Sequence, residues 1–274
     1  MANVETAGVL TDHQNIFNHT TLFLKESCKR TIVLTLFLSV WELSPRVGLA
    51  SPAFLPPFSE VIDTWWHMVL TGELAKHITA SLTRSFTGYA LAMLYGIPLG
   101  LAIGWYKGLS EIVNPLLEAL RNTAALALLP VFILLLGIGE SSKIAVIIFA
   151  CSWPILLNTI SGVKNVDPLL IKSAQSLCLS PARLFRKVIL PAALPSIFVG
   201  ARLAGASSIL VLIAAEMVGA KAGLGYLIIY SQYNFAVPKM YAGIITVSAI
   251  GFLLNQALVR LEQRYTAWKP VMER

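Results

Sequence analysis

The sequence predicts an all-α membrane protein with six transmembrane helices. Hydrophobic residues fill 56% of its 274 positions and charged residues 13%, about half the charged share of an average soluble domain. The apolar positions gather into runs of roughly 20 residues, the length a bilayer demands of a helix. The ~10-residue alternating segments of a transmembrane β-barrel do not occur.

Taken in order, the spans are expected at 30–47, 86–106, 124–138, 142–161, 197–217 and 240–259. The first lies too far from Met1, and lacks a small-residue cleavage site, to read as a signal peptide, so it is taken as retained. Residues 48–85 form the longest outer connection: a proline-rich, extended start, then an amphipathic stretch lying at the interface with Trp65 and Trp66 at headgroup depth. Glu42 marks the outer end of the first span. The third span is short, because Arg121 and Asn122 interrupt its approach. Pro154 kinks the fourth. Gly96, Gly100, Gly104, Gly200 and Gly205 allow close helix packing, with hinge or pore-lining roles as the alternative.

Cation placement sets the orientation. With the N-terminus cytoplasmic, the inner segments carry fourteen cations: Lys25, Lys29, Arg30, Lys107, Arg121, Lys164, Lys172, Arg183, Arg186, Lys187, Arg260, Arg264, Lys269 and Arg274. The outer segments carry six, Arg46, Lys76, Arg84, Lys143, Lys221 and Lys239, with Arg202 near the inner end of a span. Both termini are therefore expected in the cytoplasm. The net charge of +7 follows from topology and lends no support to nucleic-acid binding. Cys28, Cys151 and Cys178 show neither paired nor metal-ligand spacing, so free thiols and no metal site are expected.

The expected domains are a cytoplasmic segment 1–29, a transmembrane body 30–265 and a cytoplasmic tail 266–274. The body carries one long polar interlude, 164–195, reading KNVDPLLIKSAQSLCLSPARLFRKVILPAALP. Asp167 can cap a short helix with Pro168 at its first position, and Leu169, Leu170, Ala174 and Leu177 are available for one apolar face. Ser180-Pro181 ends that helix and starts another, which stops at Leu190-Pro191. The product is a helix-turn-helix on the membrane surface, either presented to a partner or packed beneath the bundle.

This segment resembles the cytoplasmic coupling loop of binding-protein-dependent ABC importer permeases, whose pattern is Glu-Ala-Ala, three residues, Gly, nine residues, Ile-x-Leu-Pro. Lys172, Ser173 and Ala174 take the first three positions, Cys178 the glycine, and Val188-Ile189-Leu190-Pro191 the end. The spacing matches without a gap, although Lys172 replaces the acid, Cys178 the glycine, and Ala124 a usual proline after Arg121. The resemblance covers about 30–270 and is nearest the nitrate/sulfonate/taurine subfamily. It is carried by FLPPFSEV, HITASLTRSFTGYALA, GIPLGLAIGW, LLPVFILLLGIGESSKI, WPILLNTISGVKNVD, VILPAALPSIFVGARLA, LIAAEMVGAKAGLGYLI and RYTAWKP.

The resemblance implies a type I ABC importer permease (MetI-like) architecture with a cytoplasmic coupling helix, in the bacterial inner membrane. It implies two ABC ATPase subunits, a second permease copy and an extracytoplasmic solute-binding protein as partners, besides membrane lipid. ATP and Mg would bind the ATPase; no phosphate-cradling GxxxxGK[ST] loop occurs here, so the chain itself is not an enzyme and carries no cofactor. The docking loop would comprise Leu169, Leu170, Lys172, Ser173, Ala174, Leu177, Cys178, Leu179, Arg183, Arg186, Leu190 and Pro191. Leucines would seat in the ATPase groove, and cations would set register or meet lipid headgroups. The transported solute would be a small anion such as a sulfonate, taurine or nitrate. Asn158, Ser207, Ser208 and Glu216 are pathway candidates, with Thr159 and Ser161 as weaker ones. Glu216, a carboxylate at depth, suits a structural or gating hydrogen bond better than direct contact with an anion. The rival reading is a secondary transporter or channel working without an ATPase. That class usually shows more spans and an inverted repeat.

Overall fold

The computed structural model describes residues 32–266. The expected segment 1–29, the tail 266–274 apart from the backbone of Thr266, and with them Cys28 and the terminal Trp-Lys-Pro lie outside the described residues. Among the described residues all regular structure is helical. Among the described residues, 32–64 and 65–266 form separate compact units, the division falling within a helix.

In the first unit, helix α1 covers 32–46 and corresponds to the first expected span. Its apolar side chains, among them Val33, Leu36, Phe37 and Val40, are exposed, as a lipid-facing helix requires. The proline-rich return folds onto its end. Trp41 Nε1 donates to the Pro56 carbonyl at 3.1 Å, and Glu42, paired with Arg46, accepts from Ser59 N and Oγ at 2.9 Å. Helix α2 is Phe58–Leu70.

In the second unit, α3 runs over Glu73–Trp105, 33 residues and thus about 50 Å. It therefore starts well before the expected 86, and the stretch taken as an interfacial connection is half α2 and half the start of a long span. Gly72 at φ 75° divides the two helices. Polar residues do not stop α3, because Thr79, Thr83 and Thr87 turn their hydroxyls onto carbonyls one turn back at 2.9, 2.7 and 2.7 Å. Trp65 sends its indole N–H to Thr246 at 3.0 Å, while Trp66 is exposed.

The expected third span, 124–138, is not a single helix. It holds a 3-10 turn (Ala125–Leu128) and α5 (Leu129–Leu136), and is preceded by α4 (Lys107–Arg121), with an 86° bend between Lys107–Arg121 and Ala125–Leu136. Ala124 is extended at ψ 118° and Pro130 opens α5, so the helix cannot continue across the break. Eight residues of α5 rise only about 12 Å and cannot cross alone.

Next come α6 (Glu140–Lys164), α7 (Pro168–Ser176), α8 (Pro181–Leu184), a π turn (Phe185–Ile189), α9 (Leu190–Glu216), α10 (Leu224–Tyr233) and α11 (Val237–Thr266). Among the described residues, four helical stretches are long and apolar enough to cross a membrane, five if the bent pair counts as one. The expected stop at Leu190-Pro191 is absent: helix continues from Pro181 to Glu216. In the π turn the Leu190 N–H reaches the Phe185 carbonyl. This wider turn relieves the clash and lost hydrogen bond that Pro191 brings to an α-helix. The ten-residue α10 lies where the sequence reading had only loop.

Helix α6 is the centre of this unit, flanked by α3 and α9. Along α3 the four-residue series Gly88, Ala92, Gly96, Gly100, Gly104 meets α6. A Cβ on Gly88, Gly100 or Gly104 would stand 2.7–2.8 Å from Ile147, Thr159 or Val163. On the other side of α6, Gly200 lies against the Pro154 carbonyl, 2.7 Å from where its Cβ would be. These glycines serve backbone approach, with no free volume for a pore at the α3–α6 seam.

Candidate functional site: a surface loop and a distant ion cluster

The 164–195 loop is built by capping. Asp167 Oδ1 accepts the Leu169 N–H at 2.8 Å and Pro168 fills the first helical position. At the other end of α7, Cys178 N–H meets the Gln175 carbonyl at 2.9 Å and Leu179 N–H the Ala174 carbonyl at 3.3 Å. This is a Schellman closure, which places Cys178 in the left-handed region at φ 54°. The loop thus keeps the turn that the family pattern assigns to glycine, with a cysteine in it.

The apolar residues of the loop divide between two surfaces. Ala174, Leu184 and Ile189 are buried with Val163, Val166, Ala193 and Ile197, and Ile171, Leu179 and Phe185 pack against them. Phe185 meets Trp105 edge-on at 5.2 Å. Ala174 and Leu179 therefore face the bundle rather than sharing an outward face with the other leucines. Leu169, Leu170 and Leu177 are 69%, 51% and 76% exposed. Lys172, Ser173, Cys178, Arg183 and Arg186 are exposed beside them, and Leu190 and Pro191 are half-buried. The loop packs beneath the bundle and leaves a face of three leucines exposed.

At the opposite end of α6, about 37 Å away by helical rise, lies a cluster of charges. Glu216 is fully buried. It accepts from Arg84 Nη1 at 2.6 Å, from Ser81 Oγ at 2.8 and 2.9 Å, and from the Gly225 N–H at 2.9 Å. Arg84 Nη1 also donates to the Ala222 carbonyl at 2.6 Å. Arg84 Nε and Nη2 hold Glu140 bidentately, the Nη2 bond at 2.7 Å. Lys143 Nζ reaches the carbonyls of Gly139 at 3.0 Å and Gly219 at 3.4 Å. The Leu224 N–H donates to Ser81 Oγ at 2.8 Å and the Gly223 N–H to His77 Nδ1 at 3.1 Å. A Cβ at Gly223, where φ is +126°, would strike the Glu216 carboxylate at 2.3 Å, so only glycine fits there.

Arg84 and Lys143 are thus buried, not outer-surface cations, and His77 belongs to a span-length helix rather than a connection. A signal for them existed: His77, Ser81, Ser85 and Gly88 recur at three- to four-residue spacing, one helix face that runs on into the glycine series.

The four pathway candidates are not brought together. Asn158 gives its amide to the Pro154 carbonyl at 2.8 Å, and Ser207 its hydroxyl to the Leu203 carbonyl at 3.0 Å. Ser208 bonds the Gly205 carbonyl at 2.7 Å and stands 3.0 Å from Ser85 Oγ, beside a largely apolar cavity of about 570 Å³ between α3, α9 and α11. Thr159 is buried against Gly100, and Arg202 pairs with Glu262 at 3.2 Å. Cys151 and Cys178 are free thiols.

The helices long and apolar enough to cross a membrane, with one polar loop anchored beneath them, describe a membrane-protein bundle. The chain belongs to the family described as "Binding-protein-dependent transport system inner membrane component", which matches residues 96–267. It is 36% identical to the taurine transport system permease protein TauC of Escherichia coli K12 over 86% of this chain and 87% of that one. Identity is 32% to the putative aliphatic sulfonates transport permease protein SsuC of Bacillus subtilis 168, with 88% and 87% covered. It is 32% to the bicarbonate transport system permease protein CmpB of Synechocystis, with 83% and 84% covered. Among solved structures, a chain of the MetNI methionine ABC transporter in an inward-facing conformation superposes at TM-score 0.63 and 20% identity, over 70% of this chain and 96% of that one. The fold is accordingly that of the MetI-like importer permeases. The protein is a permease subunit of an ABC importer, in which ATP hydrolysis belongs to a separate subunit.

Proposed function

We propose that this permease carries a small organic anion of the sulfonate or taurine class into the cytoplasm, paired with a second copy of itself. Taurine, aliphatic sulfonates and bicarbonate, for which relatives are named, each present one small oxyanion group, which supports the class. Two ATPases, holding ATP and Mg2+, dock on the α7–α8 loops, and an extracytoplasmic binding protein delivers the solute to the opposite face. Both termini lie in the cytoplasm.

The observation that carries the docking assignment is the exposed trio Leu169, Leu170 and Leu177 on a hairpin anchored from behind by Ala174, Leu179 and Leu184. Three large apolar side chains on a polar loop are a contact surface waiting for a partner. Lys172, Arg183 and Arg186 around them supply the charged rim that steers and registers a protein interface.

The test is affinity purification of the tagged chain in mild detergent, with Leu177→Asp as the variant. The wild type is expected to bring an ABC ATPase with it in stoichiometric amount. The Asp variant is expected to stay in the membrane, lose the ATPase and fall at least tenfold in solute uptake. Undiminished ATPase recovery and uptake in the variant overturn the docking surface; a homo-oligomer without ATPase, even after crosslinking, points to a secondary transporter.

A further inference from the structure

One guanidinium in the ion cluster serves two carboxylates on unequal terms. Glu216 is locked: it is fully buried and holds Ser81, the Gly225 N–H and one edge of Arg84. Glu140 is 62% exposed, and among the described residues its carboxylate has Arg84 as its one hydrogen-bonding partner. It sits on the first residue of α6, with its side chain reaching the surface, so that rotation about its own bonds is enough to turn it into solvent. The Arg84 side chain is only 6% exposed, so the Nε/Nη2 edge is closed off by Glu140.

The charges are balanced with Glu140 in place: Arg84 and Lys143 against Glu140 and Glu216. With Glu140 turned into solvent, the remaining three groups carry a single positive charge in a site walled by protein. A guanidinium edge offering two parallel N–H donors fits a planar carboxylate or two oxygens of a tetrahedral sulfonate. We propose that the Nε/Nη2 edge of Arg84 is a binding site for a small oxyanion, and that Glu140 is an intramolecular stand-in for that anion, released when the anion arrives. This rests on the anion-importer reading above for the identity of the physiological occupant, but the chemistry of the site does not.

The experiment uses the full-length permease, with whatever subunits co-purify, in phosphatidylcholine nanodiscs. Glu140→Ala leaves Arg84 paired to Glu216 and vacates the outer edge. Methanesulfonate, titrated against sodium chloride at equal ionic strength, is expected to raise the Tm of Glu140→Ala saturably, by about 3–5 °C at ten times its Kd. The wild type, whose edge is filled, is expected to move by less than a third of that. A rise equal in the two proteins, or equally produced by chloride, overturns the site. Glu140→Gln keeps the side-chain volume and covers the edge without charge; its response should fall between, and a response matching the wild type also counts against displacement. A parallel series in phosphatidylglycerol nanodiscs separates the two sources of such an anion. If the response survives there, the occupant is a soluble anion; if it disappears, the edge belongs to a lipid phosphate and the transported anion is ruled out. Failure here leaves ATPase co-purification untouched, so the two readings fall separately.

Discussion

Cys178, one of three departures from the coupling-loop pattern and its approach, shows what such a departure costs. Its left-handed backbone at φ 54° carries about 1–2 kcal/mol of strain for an L-residue, partly offset because glycine loses more freedom on folding. Cys178→Gly is therefore expected to raise stability by roughly 0.5–1 kcal/mol, read as a Tm increase of a few degrees with unchanged ATPase recovery. Glu216 lies at the other extreme. Glu216→Ala leaves Arg84 to Glu140 and the Ala222 carbonyl and the buried Gly225 N–H without its acceptor, at a cost of about 1–3 kcal/mol, measurable as loss of monodisperse protein after extraction. The sequence marked Glu216 as a carboxylate at depth, yet could not supply its partners. Arg84 stands 132 positions away from it and 56 from Glu140, and only the folding of α3 against α6 and α9 closes that gap. The exposed leucines were legible from the coupling-loop pattern, whereas the inward turn of Ala174 follows from the Schellman closure, a feature of φ angles rather than residue types.

At the scale of elements, hydropathy located α6, α9 and α11, because each is a long apolar run with its polar groups near the ends. It misplaced the start of α3, where hydroxyls bonded to their own helix make polar residues compatible with a span. It also misread the bent α4–α5 pair, whose break depends on one extended alanine. Pro191 was read as a stop, and the π turn before it turned that stop into a continuation. The α3–α6 seam gives the sharpest test. Gly100→Leu places a branched side chain where a single Cβ already lies 2.8 Å from Thr159. A loss at or beyond the upper end of the 1–3 kcal/mol typical of overpacking is expected, seen as reduced yield of folded permease in the membrane. Gly108→Ala, with open space around it, is the control and should be neutral.

For the whole molecule, the orientation expected from cation placement remains to be tested with Arg84 and Lys143 buried. The outer cations shrink to Arg46, Lys76, Lys221 and Lys239, and Lys239 is itself paired with Glu73 at 3.0 Å. A fluorescent protein fused at the C-terminus is expected to mature in the cytoplasm, and alkaline phosphatase inserted at Lys221 to be active. The reverse pattern would invert the topology and place the α7–α8 loop outside, away from any ATPase.

The zero-clearance seam along α6 has a mechanical meaning. Cogs cut without backlash pass on a displacement without first taking up slack, and a helix interlocked with neighbours on both flanks behaves in that way. A push on the α7–α8 hairpin enters a shaft about 37 Å long, whose other tip carries Glu140. Tilting such a shaft by ~10° would sweep its tip through roughly 6 Å, and the interlocked α3 would carry Arg84 along with Glu140. A displacement applied at one end of α6 would be felt, almost undiminished, at the other.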